Sequence, residues 1–330
     1  MDTIKCEIVS WPLKEPFRIS RSVISDVIVV VVTVTKGPYS GRGECRPYPR
    51  YNETPESVCA QIESLKSELA TLSLETLGGR LENGAARNAA NCALWDLQAQ
   101  ITGKSVSQLL ALPPPKARET AFTLSLDKPE NMAKAAKAAA QYKHLKIKIG
   151  GLDGLDCALA VLTARPDAKL IIDANEALAP AQLAEFQLAL AEHSVALIEQ
   201  PIAAGTPFPE GAENSLPLIC ADESLHTKDD LQRLWNEGYR AVNIKLDKAG
   251  GLSEALELAA CAKAMGFTIM LGCMVSSSLS IAPALLLESY ADVIDLDGAA
   301  LLSRDHLGGM IYENGMVAPA PESFWGHPRG

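Results

Sequence analysis

The chain has 330 residues, and its composition is that of an ordinary globular protein. Apolar residues make up 48% and charged residues 21%, which argues against intrinsic disorder. With 30 Lys and Arg against 40 Asp and Glu, the net charge is −10 and no basic stripe offsets it. Nucleic-acid binding is therefore not expected. The length suits two domains, or one large barrel with an appendage.

The sequence gives no sign of a membrane anchor or an export signal. The longest strongly apolar run, Val27–Val32, is too short to cross a bilayer, and no secretory signal opens the chain. The eight cysteines are scattered singly without a CxxC motif, which indicates reduced thiols rather than a disulfide framework or a zinc site. We therefore expect a cytoplasmic protein without membrane or nucleic-acid partners.

The first 118 residues have the pattern of an α+β module. The β-branched runs Ile4–Ser10 and Val27–Thr35 predict strands. Residues 54–56 have the pattern of a helix start, with a capping Thr followed by Pro, and Ala85–Gln100 predicts a further helix. Three consecutive prolines at 113–115 cannot continue a helix and predict a linker.

After the prolines, short β-branched runs alternate with Ala- and Leu-rich helical segments at a period of about 25 residues. The strand candidates are Thr120–Leu124, Leu145–Ile149, Leu170–Asp173, Ala196–Glu199, Leu218–Asp222, Ala241–Lys245, Thr268–Gly272 and Val293–Asp297. The segment between the fourth and fifth candidates has the weakest helical pattern. Eight such units predict a (β/α)8 barrel, since a doubly wound sheet rarely sustains eight and no GxGxxG follows the first strand.

Most of these strand candidates carry charged residues at or near their ends. These are Lys146 and Lys148 in the second, Asp173 in the third, Glu199 in the fourth, Asp222 in the fifth, Lys245 in the sixth, and Asp295 and Asp297 in the eighth. In a parallel barrel the carboxyl ends of the strands form one mouth, so these side chains should converge there. Charges in such strands must be paired or bind a metal ion to be tolerated.

Three acids that end three successive strands, Asp173, Glu199 and Asp222, predict a metal site. One such acid alone would more simply be a helix cap, and Asn175 offers a cap close to Asp173. Oxygen ligands without Cys or His nearby favour a hard cation, Mg2+ before Mn2+ or Ca2+.

The lysines suggest proton transfer. Lys146 and Lys148 alternate with isoleucines and so share one strand face, although a solvated strand would give the same pattern, as it would for Lys245. Barrel closure would put Lys148 and Lys245 on opposite sides of the mouth. A proton next to a carboxylate could then leave on one face and return on the other, with a metal neutralising the developing charge and a cationic neighbour lowering the pKa of the base.

These motifs resemble those of the enolase superfamily, and within it the muconate-lactonising subgroup, along essentially the whole chain. The resemblance rests on Lys146-Ile147-Lys148, Asp173-Ala174-Asn175, Glu199-Gln200-Pro201, Asp222-Glu223-Ser224, and Asn243-Ile244-Lys245 with Gly250-Gly251 beyond. It implies a (β/α) barrel of the enolase type, at residues 119–304, with an N-terminal α+β capping domain at residues 1–118 joined by the tail 305–330.

The resemblance also implies a role for each residue in the motifs. The implied Mg2+ ligands are Asp173, Glu199 and Asp222, with Mn2+ as the substitute ion. Lys148 and Lys245 would be the acid/base catalysts, and Lys146 would contact the substrate carboxylate. Asn175 and Glu223 would lie around the metal ligands.

The substrate is suggested by the end of the eighth strand. Asp295-Leu296-Asp297 resembles the motif that holds the substrate ammonium in dipeptide epimerases, although Asp297-Gly298 could equally be a turn. Arg21 resembles the residue that pairs with glutamate in L-Ala-D/L-Glu epimerases, with Arg18 as a rival and a plain surface arginine as the alternative. Residues 43–51 resemble the second capping loop of that group, and Thr123 is a further substrate-contact candidate.

The prediction is thus an isomerase that epimerises L-Ala-D/L-Glu by two-base 1,1-proton transfer, in the recycling of cell-wall peptide. Three alternatives stay open: another dipeptide specificity, because residues 272–276 are mostly apolar; an o-succinylbenzoate synthase or cycloisomerase; and a barrel that only binds. The DxD motif argues against the second, whose substrates lack an amine. A homo-oligomer is also left open.

Overall fold

The computed structural model describes residues 2–19, 22–209, 212 and 217–329. It begins with a three-stranded antiparallel sheet in the order β1-β2-β3, against which helices pack. The strands are β1 (Thr3–Ile19), β2 (Ser22–Lys36) and β3 (Tyr39–Cys45). The helices are α1 (Pro55–Ser64), α2 (Leu74–Leu77), α3 (Ala85–Thr102) and α4 (Val106–Leu109), with 3-10 turns at Pro49–Tyr51 and Leu65–Glu68.

Strand β2 is apolar on both faces, and this explains its long valine run. Val30, Val32 and Val34 belong to the core that the sheet shares with α1 and α3. The alternate residues Val29 and Val31 belong to the larger core that includes the barrel. Because successive side chains point to opposite faces of a strand, one continuous apolar run can serve both cores.

The predicted start of the first helix is confirmed. Thr54 accepts a hydrogen bond from the Ser57 amide, while Ser57 Oγ accepts one from the Thr54 amide, and Pro55 occupies the first helical position. Such reciprocal capping satisfies amides that the helix itself cannot pair.

A parallel sheet of eight strands follows, ordered β12-β11-β10-β9-β8-β7-β6-β5, as the sequence predicted. The strands are β5 (Ala121–Leu124), β6 (His144–Lys148), β7 (Lys169–Asp173), β8 (Val195–Glu199), β9 (Leu218–Ala221), β10 (Ala241–Ile244), β11 (Thr268–Gly272) and β12 (Val293–Asp295). The helices are α5 (Pro129–Ala138), α6 (Gly154–Ala164), α7 (Pro180–Leu190), α8 (Leu231–Glu237), α9 (Leu246–Ala249), α10 (Leu252–Ala264) and α11 (Ser278–Leu285), with 3-10 turns at Lys228–Asp230 and Gly298–Leu301. Between β8 and β9, the described residues 200–209, 212 and 217 contain no helix.

Hydrogen bonds join the last strand region to the first and so nearly close the barrel. The Thr123 amide donates to Asp297 Oδ2 at 2.6 Å, and the Leu296 amide donates to Thr120 Oγ1 at 3.0 Å. The predicted architecture, a (β/α) barrel with an N-terminal α+β capping domain, is confirmed.

The chain end returns to the N-terminal sheet. A small antiparallel sheet joins β4 (Arg118–Glu119) to β13 (Ile311–Glu313) and β14 (Met316–Ala318). Further along, Trp325 Nε1 donates to Arg42 O, and the Gly326 amide donates to the buried carboxylate of Asp96. These contacts are consistent with a tail that joins the capping module; the exact domain boundaries stay a prediction.

The expectation of reduced cysteines throughout the chain is wrong for one pair. Cys6 on β1 and Cys59 on α1 form a disulfide, with their Cα atoms 5.8 Å apart. They are 53 residues apart in sequence, and only the packing of α1 beside β1 brings them together. In the described part of the chain, no helix has both the length and the apolar character needed to cross a bilayer.

Glycine allows α3 to approach β3 very closely. A Cβ added to Gly41 would lie 2.2 Å from both Ala93 O and Leu97 N, which are backbone atoms of α3. Backbone atoms of a packed helix cannot give way cheaply, so the helix would have to move away from the sheet.

We predict that Gly41→Ala lowers the free energy of unfolding by about 1–3 kcal/mol, the usual cost of overpacking a core. The matched control is Gly79→Ala, where the nearest atom is Thr76 O at 3.7 Å. Denaturant unfolding of both variants checks this, and equal stability of the two would contradict it.

Candidate active site

Charged side chains collect at the carboxyl end of the barrel, as the sequence predicted. Asp173, Glu199 and Asp295 are the last residues of β7, β8 and β12. Asp222 and Lys245 directly follow β9 and β10. Lys148 pairs in register with Asp173, which in turn pairs with Glu199. The parallel register is what aligns these residues at one mouth.

Lys146 lies at the centre of this cluster. Its Nζ is 2.6 Å from Glu199 Oε2, 2.8 Å from Asp295 Oδ2 and 3.1 Å from Asp173 Oδ2. Burial lowers the pKa of Lys146, but the three carboxylates outweigh it and hold this pKa well above its usual value. Lys146 is therefore a fixed ammonium ion.

The two predicted catalytic lysines are held by different carboxylates. Lys148 Nζ donates to Asp173 Oδ2 at 2.5 Å from one side of the cluster. Lys245 Nζ donates to Asp222 Oδ2 at 2.7 Å from the other side, where Asp222 and Glu199 raise its pKa well above the usual value despite burial. Three strands, β7, β8 and β9, separate the two lysines around the barrel. The structure thus brings both predicted bases to the mouth from opposite sides.

A third lysine, Lys248, pairs with the same acid and was not predicted. Its Nζ donates to Asp222 Oδ1 at 2.6 Å and to Asn243 O at 3.2 Å, and the side chain is fully buried. Lys245 and Lys248 together hold the pKa of Asp222 well below its usual range, although burial opposes them. The signal that could have indicated Lys248 is its position one helical turn after Lys245.

Glu199 is a buried carboxylate that lies close to two other acids of the cluster, Asp173 and Asp222. Its Oε1 accepts a hydrogen bond from Asn243 Nδ2 at 2.7 Å, and its Oε2 has no hydrogen-bond partner of good geometry, only the ionic contact with Lys146. Burial and the charge of Asp173 raise the pKa of Glu199 to about 8, against the opposing effect of Lys146. A further cation beside Glu199 would relieve this cost.

The three acids therefore fit a hard cation by their chemistry. All are buried, all offer oxygen donors, and they end neighbouring strands. Among the described residues, no group of three or more Asp, Glu, His or Cys side chains is arranged, as it stands, to hold a metal ion. Ammonium groups of lysine lie between the acids instead. Binding of a metal ion would require these ion pairs to rearrange.

The two aspartates of the DxD motif line the cavity above the cluster. Asp295 Oδ2 binds Lys146, whereas its Oδ1 is buried without a hydrogen-bond partner. Burial and the neighbouring Asp295 raise the pKa of Asp297 to about 7. Asp297 also accepts the Thr123 amide, so the structure places Thr123 against this aspartate at the cavity wall.

The remaining predicted residues fall into two groups. Asn175 Nδ2 donates to Glu223 Oε1 at 3.2 Å, and both residues line the cavity together with Asp222. Arg21 lies outside the described residues. Its rival Arg18 is exposed and does not line the described part of the cavity.

Sequence reasoning assigned no role to Gln200, which organises the fifth strand end. Its Oε1 accepts the amides of Asp222 and Ser224 at 2.9 and 3.0 Å, and its Nε2 donates to Tyr239 Oη at 3.0 Å. Gln200 also has φ of +36°, a strained value that its buried hydrogen bonds maintain. Its place directly after Glu199 was visible in the sequence, but its partners were not.

Comparison with known proteins agrees with this geometry. Residues 1–111 match the mandelate racemase/muconate lactonizing enzyme N-terminal domain, and residues 130–321 match the enolase C-terminal domain-like family. The chain belongs to this branch of the enolase superfamily. The L-Ala-D/L-Glu epimerase of Escherichia coli (strain K12) is 44% identical over 92% of this chain and 96% of that protein.

Two further relatives differ in what they bind or act on. An N-acetyl-D-glutamate racemase of Pseudoalteromonas sp. is 40% identical over 90% of this chain and 95% of its own length. A crystal structure of an enolase family member from Agrobacterium tumefaciens, with homology to dipeptide epimerases, contains sodium and L-Ala-L-Glu. It is 41% identical, covers 99% of this chain and 100% of that chain, and superposes with a TM-score of 0.94. The relatives of this chain thus include an epimerase and a racemase, and the chain is an isomerase.

We predict that Lys248→Met lowers the free energy of unfolding by about 3–5 kcal/mol, because it leaves one oxygen of the buried Asp222 carboxylate without its cation. The control is Lys263→Met on α10, an exposed lysine whose loss should change stability by less than about 0.5 kcal/mol. Denaturant titration measures both. If Lys248→Met were as stable as its control, the buried pair would have no structural role.

Proposed function

We propose that the chain epimerises dipeptides, with L-Ala-D/L-Glu as substrate, by moving the α-proton between Lys148 and Lys245. The observation that carries this proposal is the placement of the two lysines on opposite sides of three buried carboxylates. A stereocentre held between them would expose each of its faces to a different base. The identity to the Escherichia coli enzyme supports the choice of substrate.

The reaction inverts the configuration at the α-carbon of the substrate and leaves its composition unchanged. The original α-proton is replaced by a proton from the enzyme. One lysine, in its neutral form, takes the α-proton, and the electron pair passes into the adjacent carboxylate. The other lysine, as an ammonium ion, then returns a proton to the opposite face. Lys146, whose pKa three carboxylates hold well above its usual value, would remain an ammonium ion and hold the substrate carboxylate, whose charge increases in the intermediate.

We further propose Mg2+ at Asp173, Glu199 and Asp222, with Mn2+ as a substitute. When bound, the ion supplies positive charge where the substrate carboxylate becomes doubly negative. The hard oxygen donors and the raised pKa of Glu199 support a cation at this position. Asn175 and Glu223, which bond to each other beside Asp222, would orient the ligands.

The DxD motif supports a substrate with a free amine. Asp295 has one buried oxygen without a hydrogen-bond partner, and an ammonium group would provide the donor that it lacks. The relative that racemises N-acetyl-D-glutamate makes an N-blocked glutamate the second candidate substrate. Comparison of L-Ala-L-Glu with N-acetyl-L-glutamate distinguishes the two, because only the dipeptide has an ammonium group for Asp295 to bind.

Several parts of the sequence-based prediction remain proposals. These are the pairing of Arg21 with the substrate glutamate, the division into residues 1–118, 119–304 and 305–330, a place in cell-wall peptide recycling and self-association. Light scattering of the purified protein measures the last of these.

We predict that Lys148→Ala and Lys245→Ala each lower net epimerisation of L-Ala-L-Glu by at least about 10²–10⁴-fold, since each removes one of two obligatory proton carriers. Proton NMR in D2O follows both epimerisation and α-proton exchange. Lys169→Ala, an exposed lysine at the amino end of β7, serves as the control with unchanged turnover. Full turnover by either catalytic variant would exclude the two-base mechanism.

We also expect the metal-stripped protein to be inactive and to regain activity with Mg2+. Binding itself should appear as thermal stabilisation, worth about 2.7 kcal/mol when Mg2+ is present at 100 times its Kd. In Glu199→Gln this Mg2+-dependent stabilisation should be lost. The proposed metal site would be ruled out if the protein stayed active after treatment with a chelator and its melting temperature did not change on addition of Mg2+.

A further inference from the structure

Among the described residues that line the cavity above the barrel mouth, one cation lacks a counter-ion. Among its described lining residues, Lys146, Lys148 and Lys245 each have a carboxylate oxygen within 2.7 Å. Arg46, which also lines the cavity, forms no ion pair within 4.0 Å with any carboxylate of the described residues. Each of these three lysines therefore has a carboxylate partner, whereas Arg46 has none among the described residues.

A hydrogen bond fixes the backbone of Arg46, and this limits the positions that its side chain can take. Its amide donates to Asp247 Oδ1 at 3.0 Å, and the same oxygen accepts Asn88 Nδ2 at 3.0 Å. Asp247 lies on α9, directly behind the strand that leads to Lys245. A contact between the capping loop and the catalytic strand region thus positions Arg46.

The guanidinium itself is nearly unused by the protein. Of its five N–H donors, Nη1 alone has a described acceptor, Val275 O at 3.4 Å, and the Tyr48 ring centre lies 6.0 Å from Cζ. Burial lowers the pKa of Arg46, which records the cost of desolvating this cation. A buried guanidinium with unused N–H donors is suited to bind a carboxylate, because it can donate two parallel hydrogen bonds to the two oxygens.

We propose that Arg46, in addition to the role proposed for Arg21, binds the side-chain carboxylate of an acidic residue at the reacting end of the substrate and so contributes to the preference for glutamate. This rests on the proposed function, in which the lysine cluster takes the α-carboxylate and Asp295 takes the ammonium group. The acidic side chain is then the one remaining charge of Ala-Glu. Next to Arg46 the cavity wall is formed by Met274 and Val275, which by themselves would disfavour a charged group.

The test compares L-Ala-L-Glu with its neutral isostere L-Ala-L-Gln in wild type and Arg46→Gln. We expect kcat/KM for the glutamyl dipeptide to fall about 100-fold, a typical consequence of losing a charge-assisted pair in a binding site. The value for the glutaminyl dipeptide should change by less than about threefold. The control is Arg50→Gln in the same loop, whose guanidinium already pairs with Glu176, and it should keep the wild-type preference. Arg46→Lys, which retains the charge, should restore part of it.

The outcomes separate this inference from the function it rests on. Exchange of dipeptide α-protons by wild type, with an unchanged glutamate preference in Arg46→Gln, overturns the role of Arg46 alone. The same holds if both substrates lose activity in parallel, which would indicate a structural role, or if Arg21→Gln abolishes a preference that Arg46→Gln keeps. A wild-type protein that exchanges no dipeptide α-proton overturns the proposed function and this inference together.

Discussion

The structure depends on the mutual neutralisation of buried charges at the barrel mouth. An isolated ion in a protein interior is very costly, whereas acids and ammonium groups in contact compensate one another. Asp173, Glu199 and Asp222 alternate with Lys146 and Lys245 in this way, at distances of 2.6–3.8 Å. Because each member belongs to a different strand, the cluster exists only when the strands lie side by side in register.

The same neutralisation explains why the site can do chemistry. Lysines paired with carboxylates have raised pKa values, as Lys245 shows, and a base must lose its proton before it can act. A divalent cation that took over the carboxylates would remove the charge that now holds those protons. Burial and the charge of Asp173 raise the pKa of Glu199 in spite of its contact with Lys146. Substrate and metal would thus complete a charge arrangement that the protein has only partly balanced.

The residues proposed for the chemistry and those proposed for specificity belong to different parts of the fold. In the proposed function, the barrel supplies the acids and lysines that would act on the carbon next to the substrate carboxylate. The N-terminal module supplies Arg46 and Tyr48 to the cavity, together with Phe17 on β1. Contacts such as Ser277 N to Glu44 Oε1, at 2.8 Å, hold the second capping loop to the barrel. On the proposed roles, a change in that loop would alter the substrate preference and leave Lys148 and Lys245 in place.

Much of this protein could be predicted from local patterns. The alternation of eight β-branched runs with helical segments predicts the barrel, and the capping residues before Pro55 predict the first helix, because strand and helix periods are local properties. The charged residues near the strand ends are equally visible, since the carboxyl ends of parallel strands must share one edge. The position of each of these residues can be predicted from the sequence pattern of the strand or helix to which it belongs.

Other features were decided only when distant segments packed together. Sequence analysis assigned no role to Lys248, which barrel packing buries against Asp222. The Cys6–Cys59 disulfide likewise requires α1 to lie beside β1. Arg46 and Arg50 both lie in the second capping loop, and the sequence does not distinguish them. Only the structure shows that Arg46 lines the cavity without a counter-ion among the described residues. Spacing along the chain determines which face of an element a residue occupies. Which charged side chains form ion pairs, and which remain without a counter-ion, depends on contacts between elements. These contacts are formed by the tertiary structure alone.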